Sequence, residues 1–307
     1  MNKLLRSPLF YVGDKYKILK LILPKFPPKI NRFIEPFTGG GSVFMNVSAK
    51  EYLLNDIDVN LIKIHEFLNA CSSDKESFFS KVEAIISQYN LSYSCKYNKI
   101  SDDLKKKYKK TYYAHFNKEG YNKLRNDYNK SMNKNPLILY VLLIFGFNRM
   151  IRFNSKGEFN LPVGNVDFNK NVQMALEGYF SFVNKKNIKF FNMDYQEFIK
   201  KVKPTKNDFI YLDPPYLLSF SEYNKYWNEN EEKKLIKLLE FLNKCKTKFA
   251  VSNVIKYKNK ENVEFSNWAK NYNIFDIKSN YISYHDNTIK EFSEILVTNY
   301  ETETEGV

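Results

Sequence analysis

Short apolar runs that end on an acidic or polar residue recur in the first and last thirds of the chain. A run of this kind, bounded by turn residues, is typical of a strand buried in a parallel sheet. Longer stretches with apolar residues three or four apart, at 58–68 and 229–244, predict helices that connect such strands. Alternation of the two patterns indicates a doubly wound α/β sheet. The predicted strands are 32–34, 51–56, 188–194, 209–212, 249–252 and 294–297.

The stretch from 69 to 170 interrupts this alternation. It is rich in Lys, Tyr and Asn, its pattern is mostly helical, and it ends in a segment that contains Gly and Asn. We therefore expect an inserted, mainly helical domain at 69–170, between a first part (1–68) and a second part (171–307) of the α/β domain. The apolar run 137–147 predicts a buried helix of the insertion. That run is well short of the roughly 20 residues that a membrane helix needs.

The charge of the chain is positive and unevenly distributed. Its 307 residues include 48 Lys and Arg against 34 Asp and Glu, a net charge of +14, and 43% of them are hydrophobic, enough for a real core. Between 96 and 136, twelve basic residues face four acidic ones. An AT-rich genome would account for many lysines, but not for their concentration. The pattern favours an anionic partner, with nucleic acid as the first candidate.

The cysteine and histidine patterns exclude several classes of site. Cys71, Cys95 and Cys245 are far apart and form no CxxC pair, which argues against a disulfide framework or a zinc site. No HExxH or GxSxG motif is present, so hydrolases of those types lose support. The amino terminus lacks the apolar stretch of a signal peptide. We expect a cytoplasmic protein that binds no metal.

A glycine-rich turn follows the first predicted strand. Residues 35–42 read Glu-Pro-Phe-Thr-Gly-Gly-Gly-Ser, and residues 43–45 are expected to open a helix. Such a turn lets the backbone approach a ligand, although an ordinary strand-to-helix turn has the same composition. Asp56, at the end of the next strand, is suited to accept the ribose hydroxyls of a nicotinamide dinucleotide or of S-adenosylmethionine. The acid Glu35 suits a positively charged ligand better than a diphosphate.

The tetrapeptide Asp213-Pro214-Pro215-Tyr216 follows a buried strand. Ligands of open α/β sheets bind at the carboxyl ends of strands. A carboxylate and a neighbouring backbone carbonyl provide two acceptors for the two hydrogens of a planar exocyclic amine, and Tyr216 offers a face on which a base can stack. A rigid loop with a helix-capping Asp is the alternative interpretation.

These motifs together, in this order, resemble the alpha-group, Dam-type DNA N6-adenine methyltransferases. The resemblance spans nearly the whole chain. It implies a Rossmann-like, S-adenosylmethionine-dependent methyltransferase sheet with an inserted, mainly helical DNA-recognition domain. The matching segments are 11–15, 35–44, 55–56, 147–154, 157–164 and 213–216.

The resemblance also implies a role for each matched position. Asp213 and the carbonyl of Pro214 would bind the N6 amine of a flipped-out adenine, with Tyr216 stacked on the base. The implied cofactor-binding residues are Tyr11, Lys15, Glu35, Phe37, Gly39, Gly41, Asp56, Asp194 and Asp213. The implied DNA-binding residues are Phe147, Asn148, Arg149, Arg152 and Asn154. The implied partners are S-adenosylmethionine, double-stranded DNA and, functionally, a restriction endonuclease; a monomer is expected.

Two residues depart from the family pattern. Arg149 stands where Dam-type relatives often carry Gly, and Asn165 follows a Pro-Val-Gly turn where GATC-modifying relatives tend to have a basic side chain. Both lie in the segment that would read DNA, so the resemblance does not imply the GATC sequence.

Three alternatives to adenine-N6 methylation of DNA remain open at this stage. Cytosine N4 and an adenine of RNA are also exocyclic amines, so the tetrapeptide does not exclude them. A nicotinamide-dependent oxidoreductase would explain the glycine-rich turn and Asp56. A non-catalytic DNA-binding module would explain the positive charge.

Overall fold

The computed structural model describes residues 3–97, 100–218, 227–277 and 292–302. The chain divides into two compact units. The sheet unit comprises Lys15–Thr38, Asn46–Ile57 and Asn187–Val307, and the helical unit comprises Met1–Asp14, Gly39–Met45 and Asp58–Lys186. The domain boundaries expected near 68 and 170 stay a prediction.

The sheet unit contains a mostly parallel sheet. Its strands, β1 to β8, are Ile30–Glu35, Ala49–Asn55, Asn187–Phe191, Asp208–Leu212, Lys248–Tyr257, Lys260–Glu261, Asn273–Ile277 and Phe292–Thr298. Their order across the sheet is β3-β2-β1-β4-β5-β8-β7, with β6 paired to β5. Strands β1 to β5 pair in parallel, whereas β8 runs antiparallel to both β5 and β7. The prediction of a mixed α/β fold with a central parallel sheet is confirmed, and the arrangement is consistent with a Rossmann-like methyltransferase.

Apolar residues of the sheet and its helices form the core of this unit. All five residues of β4 are buried. One face of helix Glu229–Lys244 buries Leu235, Leu239 and Leu242 against the same core. Asn228 caps this helix and three acids occupy its first turn, so it begins and ends where the pattern predicts. The other α-helices of the unit are Leu19–Ile22, Tyr195–Val202 and Val263–Ala269.

The helix expected after the glycine-rich turn does not form. The structure has only one 3-10 turn there, Phe44–Asn46, before β2 begins at Ala49. Only six residues, 43–48, separate the glycine-rich turn from β2, too few for an α-helix with its connections. Strand β3 is also shorter than predicted: it ends at Phe191, and Asp194 lies beyond it.

The helical unit packs around one apolar helix. Helix Pro136–Phe145 buries eight side chains, which confirms the prediction of a buried helix in this region. A 3-10 turn, Phe147–Arg149, follows, and an antiparallel bridge between Phe153 and Phe159 then closes a small hairpin. In the described part of the chain, no helix is long and apolar enough to cross a membrane. The other α-helices of the unit are Val59–Cys71, Lys75–Gln88, Asp102–Tyr108, Tyr112–Lys130 and Lys170–Val183.

A buried ion pair joins the amino-terminal end of β4 to β1. The Arg32 guanidinium donates from Nε to Oδ1 of Asp208 at 2.9 Å and from Nη2 to Oδ2 at 2.6 Å, while Thr205 donates to the same carboxylate. Burial opposes ionisation of Asp208, but the bonds from Arg32 and Thr205 outweigh it and lower the pKa of the carboxyl group. This pair therefore stabilises the fold at the amino-terminal end of β4, away from the carboxyl ends of the strands, where Asp56 and Asp213 lie.

We expect Asp208→Asn to lower the free energy of unfolding by about 1–3 kcal/mol at neutral pH, because it removes the ionic partner of the partly exposed Arg32 guanidinium. Since the pKa of Asp208 is depressed in the fold, its contribution should be present above the ordinary Asp pKa and be lost as the pH falls through the depressed value. Urea unfolding of both proteins at pH 7 and below pH 4 tests this; a constant difference between them would contradict it.

Candidate active site

The carboxyl ends of the parallel strands bring several predicted site residues to one edge of the sheet. Glu35 is the last residue of β1 and is only 1% exposed. Asp56 directly follows β2, and Asp213 directly follows β4. Three carboxylates that are far apart in sequence thus lie after strands that are neighbours in the sheet.

A buried asparagine fixes the loops at this edge. Asn55, the last residue of β2, donates from Nδ2 to the carbonyls of Pro36 and Met193, both at 3.0 Å, and accepts from the Met193 amide at 3.2 Å. Asn192 in turn donates to the carbonyl of Asp56 at 2.9 Å. The sequence indicated Asn55 only as a member of a motif; the structure shows that it ties the loops after β1 and β3 together.

Asp213 is held by two side chains. Its Oδ2 atom lies 2.8 Å from Nζ of Lys15, whose side chain is 5% exposed, and its Oδ1 atom accepts the hydroxyl of Tyr216 at 2.8 Å. The Lys15 ammonium also lies 4.9 Å from the centroid of the Tyr216 ring. The structure therefore brings Lys15, predicted for the cofactor, into direct contact with the predicted catalytic carboxylate.

A second carboxylate, which the sequence analysis did not single out, completes this cluster. Strand β8 runs antiparallel to β5, so its amino-terminal end lies at the edge where the parallel strands end. Glu294, near that end, has a fully buried side chain. Its Oε1 atom lies 3.0 Å from the Tyr216 hydroxyl and 3.7 Å from Nζ of Lys15. The only signal in the sequence was an acid at the start of an apolar strand.

Burial and the two carboxylates raise the pKa of Tyr216 well above its ordinary value. Its hydroxyl therefore stays protonated and acts as a donor, while part of the residue remains accessible to solvent.

Two other predicted cofactor residues have structural contacts. Asp194 is exposed and caps helix Tyr195–Val202, with Oδ1 accepting from the amides of Gln196 and Glu197. The ring of Phe37 lies 5.1 Å from that of Tyr195 and 6.0 Å from that of Trp227. Both residues thus help to shape the loops at the ends of β1 and β3.

In the helical unit, the glycine-rich turn requires glycine for two reasons, its backbone conformation and, at Gly40 and Gly41, the lack of room for a side chain. Gly39 and Gly41 have φ values of +50° and +80°, in the left-handed region that favours glycine. A Cβ at Gly40 would lie 2.7 Å from Cβ of Tyr11, and one at Gly41 would lie 2.4 Å from Phe44. The backbone of the turn therefore approaches Tyr11 as closely as it can, and the Gly39 carbonyl lies 2.9 Å from Nε2 of His65.

The buried imidazole of His65 supports this turn in its neutral form. Because Gly39 offers a carbonyl, Nε2 must carry the proton, and Nδ1 faces the Tyr179 hydroxyl at 3.4 Å. Burial lowers the pKa of His65 to about 4. Protonation would place an unsolvated charge in the core.

We expect the stability of the protein to fall by about 2 kcal/mol between pH 7 and pH 5 through His65 alone, because the unfolded chain binds a proton that the folded chain rejects. Replacement of His65 by Gln should remove this part of the pH dependence in urea unfolding. His115 is exposed, so His115→Gln serves as the control and should behave as the wild type. A His65→Gln protein with unchanged pH dependence would contradict the assignment.

The predicted DNA-binding residues differ in what they contact within the helical unit. Phe147 is 49% exposed and Asn148 is exposed with φ +53°. Arg152 donates to the side chain and the carbonyl of Asn160, at 2.9 and 3.0 Å. Asn154 accepts from two backbone amides of the hairpin turn and donates to Glu158. The hairpin thus uses Arg152 and Asn154 to hold its own shape.

Arg149 and Asn165, the two departures from the family pattern, also make internal contacts. The Arg149 guanidinium lies 4.1 Å from the centroid of the Phe10 ring, and burial lowers its pKa. Asn165 accepts from the amides of Tyr113 and Ala114, at 3.0 and 3.2 Å. Asn165 therefore caps helix Tyr112–Lys130 from a distant loop, at a helix start that its own residue Thr111 does not cap.

Comparison with known proteins identifies the relatives of the chain. The family described as D12 class N6 adenine-specific DNA methyltransferase matches residues 11–283. The type II methyltransferase M.FokI of Planomicrobium okeanokoites is 34% identical over 97% of this chain and 43% of its own length. The modification methylase StsI of Streptococcus sanguinis is 35% identical over 99% of this chain and 44% of its own length. A DNA adenine methylase of Haemophilus influenzae is 31% identical over 69% of this chain. The chain spans less than half the length of the first two relatives.

Proposed function

Because the chain belongs to the D12 class N6 adenine-specific DNA methyltransferase family, we propose that it transfers a methyl group from S-adenosylmethionine to N6 of adenine in double-stranded DNA. The observation that carries the proposal is the Asp213 carboxylate, held by Lys15 and Tyr216 at the carboxyl end of β4. Cytosine N4 and RNA adenine are less well supported, since the family description and the name of the Haemophilus influenzae relative both specify adenine and DNA.

Asp213 and the carbonyl of Pro214 act on the target amine by position. N6 of adenine is a poor nucleophile because its lone pair is delocalised into the ring. Two hydrogen bonds from its N–H groups to these acceptors favour a pyramidal nitrogen and direct the lone pair away from the ring. Tyr216 holds the base by stacking. Positioning of this type contributes about 7–11 kcal/mol to the lowering of a barrier.

The residues at the strand ends fit the proposed cofactor. The buried carboxylate of Glu35 suits a cationic amino group, and Asp56 suits two ribose hydroxyls. The turn at Gly39–Gly41, with Gly39 and Gly41 at positive φ and no side chains of its own, suits close approach of a ligand to the backbone. S-adenosylmethionine, when bound, supplies a methyl group already activated by a sulfonium. We assign its binding to Tyr11, Lys15, Glu35, Phe37, Gly39, Gly41, Asp56, Asp194 and Asp213.

We assign DNA recognition to an inserted, mainly helical domain at 69–170. A target base within a duplex must be flipped out, which costs a few kcal/mol of stacking. The exposed Phe147 suits a wedge between bases, and Asn148 beside it suits a contact with DNA. Arg149, Arg152 and Asn154 complete this set, and their internal contacts fix the shape of the 3-10 turn and the hairpin.

The wider assignments rest on the relatives. Two of them are named as a type II methyltransferase and a modification methylase, which supports a role as the modification enzyme of a restriction–modification system. A functionally paired restriction endonuclease, a cytoplasmic location and a monomeric state belong to the same proposal.

Replacement of Asp213 by Ala should abolish methyl transfer, while S-adenosylmethionine and DNA still bind. Plasmid treated with either protein is digested to nucleosides, and the modified base is identified by mass. The wild type should produce N6-methyladenine and the variant none. N4-methylcytosine as the sole product would overturn the choice of base, and tight NAD binding without S-adenosylmethionine binding would overturn the enzyme class.

The exposed lysines of helix Asp102–Tyr108 should contact DNA phosphates. Because each lost phosphate contact lowers the slope of log K against log salt by about 0.9, Lys106→Gln with Lys107→Gln should lower it by up to about 2. The matched control is Lys237→Gln with Lys244→Gln, two exposed lysines on helix Glu229–Lys244 of the sheet unit. Equal slopes for the two double variants would show that the basic segment does not bind DNA.

A further inference from the structure

Glu294 is a buried carboxylate that the mechanism above does not use. Its side chain is 0% exposed, and it contacts the two residues that hold Asp213. The Oε1 atom lies 3.0 Å from the hydroxyl of Tyr216 and 3.7 Å from Nζ of Lys15. Burying a carboxylate is costly unless it is paired and hydrogen-bonded, so its place within this cluster requires a physical reason.

The first reason lies in the hydrogen of the Tyr216 hydroxyl. This hydroxyl lies 2.8 Å from Oδ1 of Asp213 and 3.0 Å from Oε1 of Glu294. A phenol has one hydrogen to donate, so the two carboxylates share it. When the hydroxyl turns to Glu294, Oδ1 of Asp213 is released to accept a hydrogen of the target amine. Glu294 therefore provides the alternative acceptor that this exchange needs.

The second reason lies in the balance of charge. Lys15 and Asp213, at 2.8 Å, form a close ion pair whose formal charges cancel. Glu294, at 3.7 Å from the same ammonium, makes the formal sum of these side chains −1. Methyl transfer from a sulfonium moves positive charge onto the nitrogen that accepts the methyl group. A site with a fixed negative charge favours that change, and the effect is large where water is excluded.

We propose that Glu294 is a positioning residue for the target amine. It shares the Tyr216 hydroxyl and the Lys15 ammonium with Asp213. One oxygen of Asp213 can therefore accept a hydrogen of the amine, and Lys15 does not cancel the whole negative charge that faces the amine. This inference rests on the proposed function. The proposal places Glu294 of β8 in the cluster around Asp213, for which the sequence indicated only residues 213–216 and the segment around Lys15.

The test is the single-turnover rate of methyl transfer by Glu294→Gln at saturating S-adenosylmethionine and DNA. Gln has the shape of Glu and still accepts from Tyr216, but it lacks the charge. The rate constant should fall about 10- to 100-fold. The dissociation constants for S-adenosylmethionine and DNA, measured separately, should stay within about 3-fold of the wild type, because the residue acts on the amine in the transition state and not in ground-state binding.

A second variant separates positioning from a merely structural role. Glu294→Asp keeps the carboxylate but shortens the side chain by one methylene group, so it retains the negative charge and changes the packing. Its rate constant should therefore be higher than that of Glu294→Gln, although Gln matches the shape of Glu more closely. If Glu294→Gln does not fold, a Glu294→Asp rate within about 10-fold of the wild type supports the proposal, and a larger loss contradicts it.

The matched control is Asp208→Asn, another buried carboxylate in an ion pair, at the opposite end of β4 from Asp213. It should lower the melting temperature while the folded protein keeps its rate. A Glu294→Gln rate within about 2-fold of the wild type, or a Glu294→Asp rate no higher than that of Glu294→Gln, would overturn the proposal. Wild-type protein that methylates no adenine would instead show that the proposed function has failed, independently of Glu294.

Discussion

The ion pair between Lys15 and Asp213 is the interaction on which the chemistry of the site depends. A carboxylate at the end of a buried strand loses part of its contact with water, so a neighbouring cation and hydrogen-bond donors stabilise it there. Lys15 supplies the cation at 2.8 Å and Tyr216 supplies the hydrogen bond. Because the same ammonium also lies near Glu294 and over the Tyr216 ring, its position determines the arrangement of all four side chains.

The strand arrangement makes this cluster possible. Parallel pairing of β1, β4 and β5 places their carboxyl ends at one edge, and antiparallel pairing of β8 returns its amino-terminal end to that edge. A parallel β8 would carry Glu294 to the opposite edge. The reversal of one strand thus allows a second carboxylate to join a site that otherwise consists of residues after parallel strands.

Several polar side chains in the segment that the sequence assigns to DNA reading form hydrogen bonds within the helical unit. Asn154 builds a turn, Arg152 closes a hairpin, and Asn165 caps a helix 52 residues away in sequence. Asn154 and Asn165 accept hydrogen bonds from backbone amides of the turn and of the helix start, and Arg152 donates to a backbone carbonyl. Phe147 and Asn148 differ from these residues, because the 3-10 turn that carries them leaves both side chains exposed to solvent.

The sequence by itself determined the features that depend on local pattern. The apolar run before Asp213 predicted β4, and the periodicity of apolar residues predicted helix Glu229–Lys244, since a strand or an amphipathic helix depends on the pattern of neighbouring residues. The same reasoning wrongly expected a helix after the glycine-rich turn, because it did not weigh the short distance to β2. Only the tertiary structure decided that Lys15 contacts Asp213 and that Glu294 contacts Tyr216. These contacts follow from the direction of β8 and the packing of segments about 80 to 200 residues apart in the chain, which no local pattern of hydrophobic and polar residues records.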